Sequence, residues 1–359
     1  MTIPHNFFAY WGGRTALNYA RYLTMASFRI YNPEWKMYLY TSQSSNDERW
    51  SVCFQDFQFN SIELKRIVSN CEKRLGKPID PEYVQLADKM LISPIIDPWE
   101  GIKYQQRAIA EAFIKATDKD DFIKRMENVI RIREDNVKDN PVPHNYIKDA
   151  IENLGVEVKN YDPENPTVYM MPPTSVSDIF SLEILIRYGG FYLDLDQLVL
   201  RKWAPIADHY DFVMGGAMIP YIGVFGAKAG SKAAQSILPF FIGGFSAAEY
   251  NSSGISALCN HCVNNQEWMT WFKSCGEINH LVPDYWFYPL NAHTQNDFWD
   301  GKFDLDVSNS YSVHWFGGNG SSKRYLKELT PKNIMTYDDN CLTRWVRKNA
   351  GRKKELCLE

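Results

Sequence analysis

Apolar positions near the start of the chain fall into two spacings. Residues 6–13, NFFAYWGG, and 35–42, WKMYLYTS, are short aromatic-rich runs suited to strands. Between them TALNYARYLTMASFRIYN places Leu17, Tyr22, Leu23 and Ala26 at helical spacing, so the chain opens as strand, helix, strand. From about residue 80 to 160 the texture becomes charged and helix-favouring, which reads as a helical insertion. PPTSVSDIFSLEILIRYGG then predicts a helix capped by Ser175 or Ser177, striped by Ile179, Leu182, Leu185 and Ile186, and ended by Gly189. A strand over Phe191 to Asp196 follows, then strands near DFVMGGAM and IGVFGAK, a helix near 254–274 and a basic tail. This order predicts an α/β fold with a mainly parallel central sheet.

The strand in RYGGFYLDLDQLVL ends in two carboxylates, Asp194 and Asp196. Alternation places both on one face and Leu193 and Leu195 on the other. The preceding helix of about 11 residues is ~17 Å long and the strand ~20 Å, so a reversal at Gly189–Gly190 returns Asp178 to the same edge. Two carboxylates on one face repel, and a divalent cation is the natural compensation. Oxygen ligation favours Mn²⁺ or Mg²⁺. The carboxyl ends of parallel strands are also where open α/β sheets place ligands. Asp304-Leu305-Asp306 repeats the tripeptide without the helix and Gly-Gly turn, and reads as a solvated turn.

Composition narrows the function classes. With 45% hydrophobic residues the chain can bury a large core, and 39 Lys and Arg against 43 Asp and Glu give a net charge of −4. A polyanion therefore meets no general attraction, although residues 323–354 form a locally basic tail. Seven scattered cysteines fit reduced thiols. The first residues lack the pattern of a signal peptide, and no run reaches the length of a membrane span, so the expected location is cytoplasmic.

The pattern Ser177-Asp178, Leu185, Gly189-Gly190, Tyr192, Asp194 and Asp196 resembles the signature of DXD-motif sugar transferases with the GT-A fold. These include the sugar-binding-region family and the glucosylating domains of large clostridial toxins. The opening IPHNFFAYWGG is similar to the family's first strand. The resemblance implies a GT-A, Rossmann-like core over residues 1–71 and 160–322. It further implies an inserted helical subdomain at 72–159 on the acceptor side and a basic C-terminal segment at 323–359. It also implies a retaining, metal-dependent glycosyltransferase with a UDP-sugar donor and a saccharide acceptor.

Carried over, Tyr10, Trp11 and Gly12 frame the nucleotide and Asp178 holds sugar hydroxyls. Tyr192 and Asp194 face the donor, and Asp196 holds the metal; Asp178, Asp194 and Asp196 form the catalytic set. The family has a donor-contacting arginine where this chain has Ser181, so Ser181 is expected at the donor, and its shorter, uncharged side chain makes a pentose or another unusual sugar a candidate. The C-terminal SVHWFGGNGSSKRY lacks the family's Ser-Trp but offers His314, Trp315 and Ser321 or Ser322; the His314 loop, with its glycines, reads as a closing lid, with His314 as a metal ligand and Trp315 and Ser321 at the donor.

Other constellations carry less. Cys259, Cys262, Cys275 and His280 have zinc-like spacing, yet Ile255, Leu258, Cys259, Cys262 and Met269 also form one helical stripe. GVFGAKAGSK reads as strand and turn, and His5 as structural. Three rival functions remain: a sugar transferase acting on hydroxylated bases of phage DNA, for which the basic tail speaks, a non-catalytic nucleotide-sugar and metal binder, and a metal-dependent nuclease.

Overall fold

The computed structural model describes residues 2–12, 17–41, 61–91, 109–135, 150–165, 168, 171, 173–216, 220–246, 252–291, 294–300, 307–318 and 320–358. Asp304 and Asp306 lie outside these residues.

The opening strand, helix, strand forms as the spacing predicts. Strand β1 (Asn6–Trp11) pairs in parallel with β2 (Lys36–Thr41), and helix α1 (Tyr19–Tyr31) connects them. Asn18 starts α1 by accepting the Arg21 N–H at 3.0 Å. Strand β3 (Val156–Asn160) extends the sheet beside β2, and β4 (Gly190–Leu193) pairs in parallel on the other side of β1. Strand β5 (Gln197–Val199) leaves this sheet. Strands β6 (Phe212–Gly215), β7 (Val224–Ala227) and β8 (Asn279–Val282) complete a seven-stranded sheet of order β3-β2-β1-β4-β7-β6-β8. Among the described strands of this sheet β7 alone runs against the rest. The mainly parallel α/β architecture expected from the sequence is present.

Both faces of the sheet are covered, and β1 shows how. Phe7 and Ala9 enter the core beneath α1, whereas Phe8 and Tyr10 enter the core beneath the later helices. A third apolar cluster joins helices α2 (Ser61–Leu75), α3 (Pro81–Leu91), 109–115 and α4 (Lys119–Asp135), with Tyr83 stacked on Phe122. The helical cluster thus starts at Ser61, before residue 72, and the segment before residue 160 ends in the sheet strand β3.

Helix α5 (Pro173–Tyr188) is longer than expected. Its first turn contains Ser175 and Ser177 instead of being preceded by them, and the Ser177 hydroxyl donates back to the Thr174 carbonyl. It is buried nearly all round, because Phe180 and Ile184 are as enclosed as the expected stripe. Gly189 ends it at φ +63°, with its N–H bonded to the Leu185 carbonyl. A Cβ on Gly190 would lie 2.5 Å from the Asn6 carbonyl oxygen, so the close approach of β4 to β1 requires glycine.

After helix α6 (Lys232–Gly243), the expected helix over 254–274 is broken. A segment kinked at Gly254, Ser252–Ser256, and a single π-helical turn, Cys259–Val263, precede helix α7 (Gln266–Ser274), which Asn265 caps. Strand β9 (Ser312–His314) pairs antiparallel with β5. Helices α8 (Gly320–Glu328) and α9 (Cys341–Lys348) form the basic tail. The tail is packed: Leu342, Trp345 and Val346 are buried, and Tyr19 and Tyr22 donate to the Leu356 and Glu355 carbonyls. Part of its charge is matched internally, since Arg344 and Arg347 both pair with Asp339. Among the described residues no helix is long and apolar enough to cross a membrane.

Candidate functional site

The strand expected to reach Asp196 stops at Leu193. Asp194 and Asp196 lie in the turn between β4 and β5, so the turn sets their direction in place of pleat alternation. The Asp194 N–H donates to the Gly223 carbonyl at 2.8 Å, and the Tyr192 hydroxyl donates to the Asp194 carboxylate at 2.5 Å. The β5–β9 ladder places Gln197 opposite His314. It brings His314 Nε2 within 2.8 Å of Asp196 Oδ1, while the Gly317 N–H donates to Oδ2 at 2.7 Å.

Ligand atoms of Asp194, Asp196 and His314 all lie within 4.8 Å of one another, the one such group of metal-ligating side chains among the described residues. The side chains of Asp196 and His314 are only 13% and 11% exposed. His314 Nδ1 is buried without a hydrogen-bond partner. Two carboxylates, an imidazole and an orphaned ring nitrogen suit a divalent ion such as Mn²⁺.

The electrostatics divide the acids. Burial, then the Asp196 charge, pushes the Asp194 carboxyl up to about 6. Burial acts on Asp196 too, but the charge and hydrogen bond of His314, helped by Arg21 and the Gly317 N–H, hold it at about 2. For His314 burial works against protonation, and Asp196 outweighs it, so the imidazole is raised. Asp178 is raised well above the carboxylate range, by burial first and by Asp194 second. The Ser253 hydroxyl donates to Asp178 Oδ2 at 3.3 Å, and a Cβ on Gly254 would lie 2.6 Å from that oxygen.

The remaining expected residues divide. Tyr10 is buried against Phe180 and Tyr161, and Trp11 is half-buried with the Arg21 guanidinium 4.7 Å above its ring. Gly12 lies against Tyr10; a Cβ there would be 2.6 Å from the ring. Ser181 is corrected: it is fully buried, and its hydroxyl donates to the Asp178 carbonyl, satisfied within its own helix. Trp315 is fully buried and packs edge-on against Trp299 in the core. His314 belongs to a strand end and not to a loop. Ser321 lies outside the residues whose side chains are described, and the Ser322 hydroxyl is fixed between Trp299 and the Trp315 carbonyl.

His280 stacks on Tyr210, and Cys275 bonds to the Phe272 carbonyl and Asn279, so these side chains have local partners in place of a zinc site. His5 stacks on Trp35 and bonds Asp208. Sequence reasoning missed Arg21, Tyr288 and Ser253. Tyr288 is buried with its hydroxyl close to Asp194, as both approach within 3.1 Å of a Cβ built on Gly223. Arg21 carried one signal: it is the lone charge in the apolar run Tyr19–Phe28.

Residues 19–213 match the model of the glycosyltransferase sugar-binding region containing a DXD motif, just over half of the chain. The chain belongs to this family. The matched residues include Asp194-Leu195-Asp196, and the GT-A fold expected of the family agrees with the sheet described above. Solved structures similar to this chain include the UDP-bound glycosyltransferase domain of the YGT toxin, at 11% identity and TM-score 0.35, covering 68% of this chain and 62% of that one. PaToxG glycosyltransferase is similar at 12% identity and TM-score 0.33, covering 76% of this chain and 73% of that one. The chain thus spans less than two thirds of the first of these structures. No curated protein matches it.

Proposed function

We propose that the chain is a metal-dependent, retaining glycosyltransferase that moves a sugar from a nucleotide sugar, a UDP-sugar in the first instance, to a saccharide acceptor. The observation that carries this reading is the convergence of Asp194, Asp196 and His314 within 4.8 Å in a chain of the DXD family. Asp196 and His314 would hold the ion, with Asp194 beside them. A divalent ion bound there supplies Lewis-acid stabilisation of the diphosphate that departs from the sugar.

The protein's own groups do the rest. Burial favours the protonated form of Asp178, and a carboxyl at this place can hydrogen-bond sugar hydroxyls. Tyr192 fixes the Asp194 carboxylate through its hydroxyl. Trp11 offers a half-buried aromatic face for the nucleobase beside the end of β1. No side-chain nucleophile is required, because retention follows when the acceptor attacks from the face that the leaving diphosphate occupies.

The test is release of nucleoside diphosphate from a panel of nucleotide sugars, pentoses included, with Mn²⁺ and with EDTA. Turnover of one donor with Mn²⁺, lost in EDTA and in Asp196→Asn, is expected. Donor binding without release across the panel, with saccharide acceptors present, would instead identify a non-catalytic binder. Failure to bind any donor would overturn the reading.

A further inference from the structure

Two carboxylates and a diphosphate carry more negative charge than one divalent ion offsets, so a site of this kind needs a second cation. In the DXD signature an arginine follows the helix-start aspartate, and here that position is Ser181, turned inward and satisfied by its own helix. Nothing on α5 replaces it at that position.

A cation reaches the site from α1 instead. The Arg21 guanidinium lies 4.7 Å above the Trp11 ring. Its other neighbour is the metal corner: a Cβ built on Gly317 would lie 3.2 Å from Arg21 Nη2 and 3.3 Å from Asp196 Oδ2. Arg21 therefore spans the distance between the aromatic face and the carboxylates. Its Nε is closed off from solvent with no hydrogen-bond partner, although the residue as a whole is only half-buried. An arginine held in place with an unused donor is costly unless something anionic completes it.

We propose that Arg21 is the cation that, among the described residues, this chain supplies to the diphosphate of its nucleotide donor, taking from α1 the charge that the signature places on α5. The assignment rests on the nucleotide-sugar reading above. A diphosphate joins a nucleoside to a sugar, so it must run from the nucleobase face to the metal, and Arg21 lies along that path. Its planar fork matches phosphate oxygens, and charge held there stabilises the leaving group as the sugar departs.

The test uses the full chain and isothermal titration of Mn²⁺ alone, then of UDP and of uridine with Mn²⁺ present. Arg21→Met keeps an unbranched apolar side chain of similar reach and removes the guanidinium and its charge. It is expected to weaken UDP by about 10- to 100-fold, the worth of a hydrogen bond to a charged group, and to leave uridine unchanged. Mn²⁺ alone should bind as well as before or more tightly, because a positive neighbour of the carboxylates has gone. Arg21→Lys, which keeps the charge without the fork, should recover most of the UDP affinity and serves as the deciding variant if Arg21→Met does not fold.

Equal losses of UDP and uridine, or a parallel loss of Mn²⁺, would show Arg21 to be a structural prop and overturn the proposal. So would UDP binding that is unchanged in both variants. If the unaltered protein binds no UDP, the nucleotide-sugar reading itself fails, a result separate from a failure confined to Arg21.

Discussion

Two corners of one sheet edge bury carboxylates, and they treat them in opposite ways. At Asp196 the chain surrounds the acid with His314, the Gly317 N–H and the nearby Arg21, and its pKa falls to about 2. At Asp178 the chain supplies one serine hydroxyl and the tight backbone of Gly254, and the acid is pushed well above its ordinary range. The same residue type is held as an anion in one corner and drawn toward its protonated form in the other. A transferase has use for both: an anion to hold a cation, and a carboxyl that reads hydroxyls.

The strongest way to break this contrast is Asp196→Asn. Mn²⁺ affinity, followed by titration calorimetry, should fall by more than ~100-fold, since even partners outside the ligand shell are worth ~10–100-fold. Asp178 tests the other side. Asp178→Asn puts an uncharged hydrogen-bonding group in its place and should lower kcat/KM by about 10-fold, whereas Asp178→Ala should lower it by ~100-fold or more, both with Mn²⁺ binding unchanged. Equal damage from the two Asp178 variants would mean that charge, and not hydroxyl recognition, is the role of this acid.

Gly254→Ala sharpens the comparison through packing. Its Cβ would meet Asp178 Oδ2 at 2.6 Å and Ile222 Cδ1 at 2.4 Å, so thermal or urea unfolding should show a loss of ~1–3 kcal/mol.

The smallest expected effect is on pH. Asp194 and His314 both have folded pKa values raised above their unfolded ones, so the folded state binds more protons. Stability in EDTA should therefore fall as pH rises through about 6 and onward through the raised imidazole value. With saturating Mn²⁺ the trend should flatten or reverse, because the metal displaces those protons. A melting temperature in EDTA that instead climbs across this range would contradict the electrostatic picture.

Much of this arrangement was legible in the residues. The aromatic runs that became β1 and β2, the helix before Gly189 and the acidic pair after it all follow from local spacing and turn chemistry. What escaped is what the chain assembles over long range. Trp315 lies in the glycine-bearing stretch that reads as a lid, and the fold packs its ring against Trp299 in the core. Ser181 was expected to face the donor, but the helix it sits in satisfies its hydroxyl. The strand ends before Asp194 because the chain turns there to meet β9, a partner more than a hundred residues away. Arg21 reads as one charge on a helix until the fold sets it beside Trp11.

The β5–β9 ladder carries a further consequence for biosynthesis. Gln197 accepts a hydrogen bond from Ser312, and the register then delivers His314 to Asp196. A nascent chain that has produced both aspartates still lacks the imidazole until its C-terminal portion leaves the ribosome. A metal held by all three groups would therefore be acquired late in synthesis, and a polypeptide arrested before Ser312 should retain the acidic pair while failing to trap the ion.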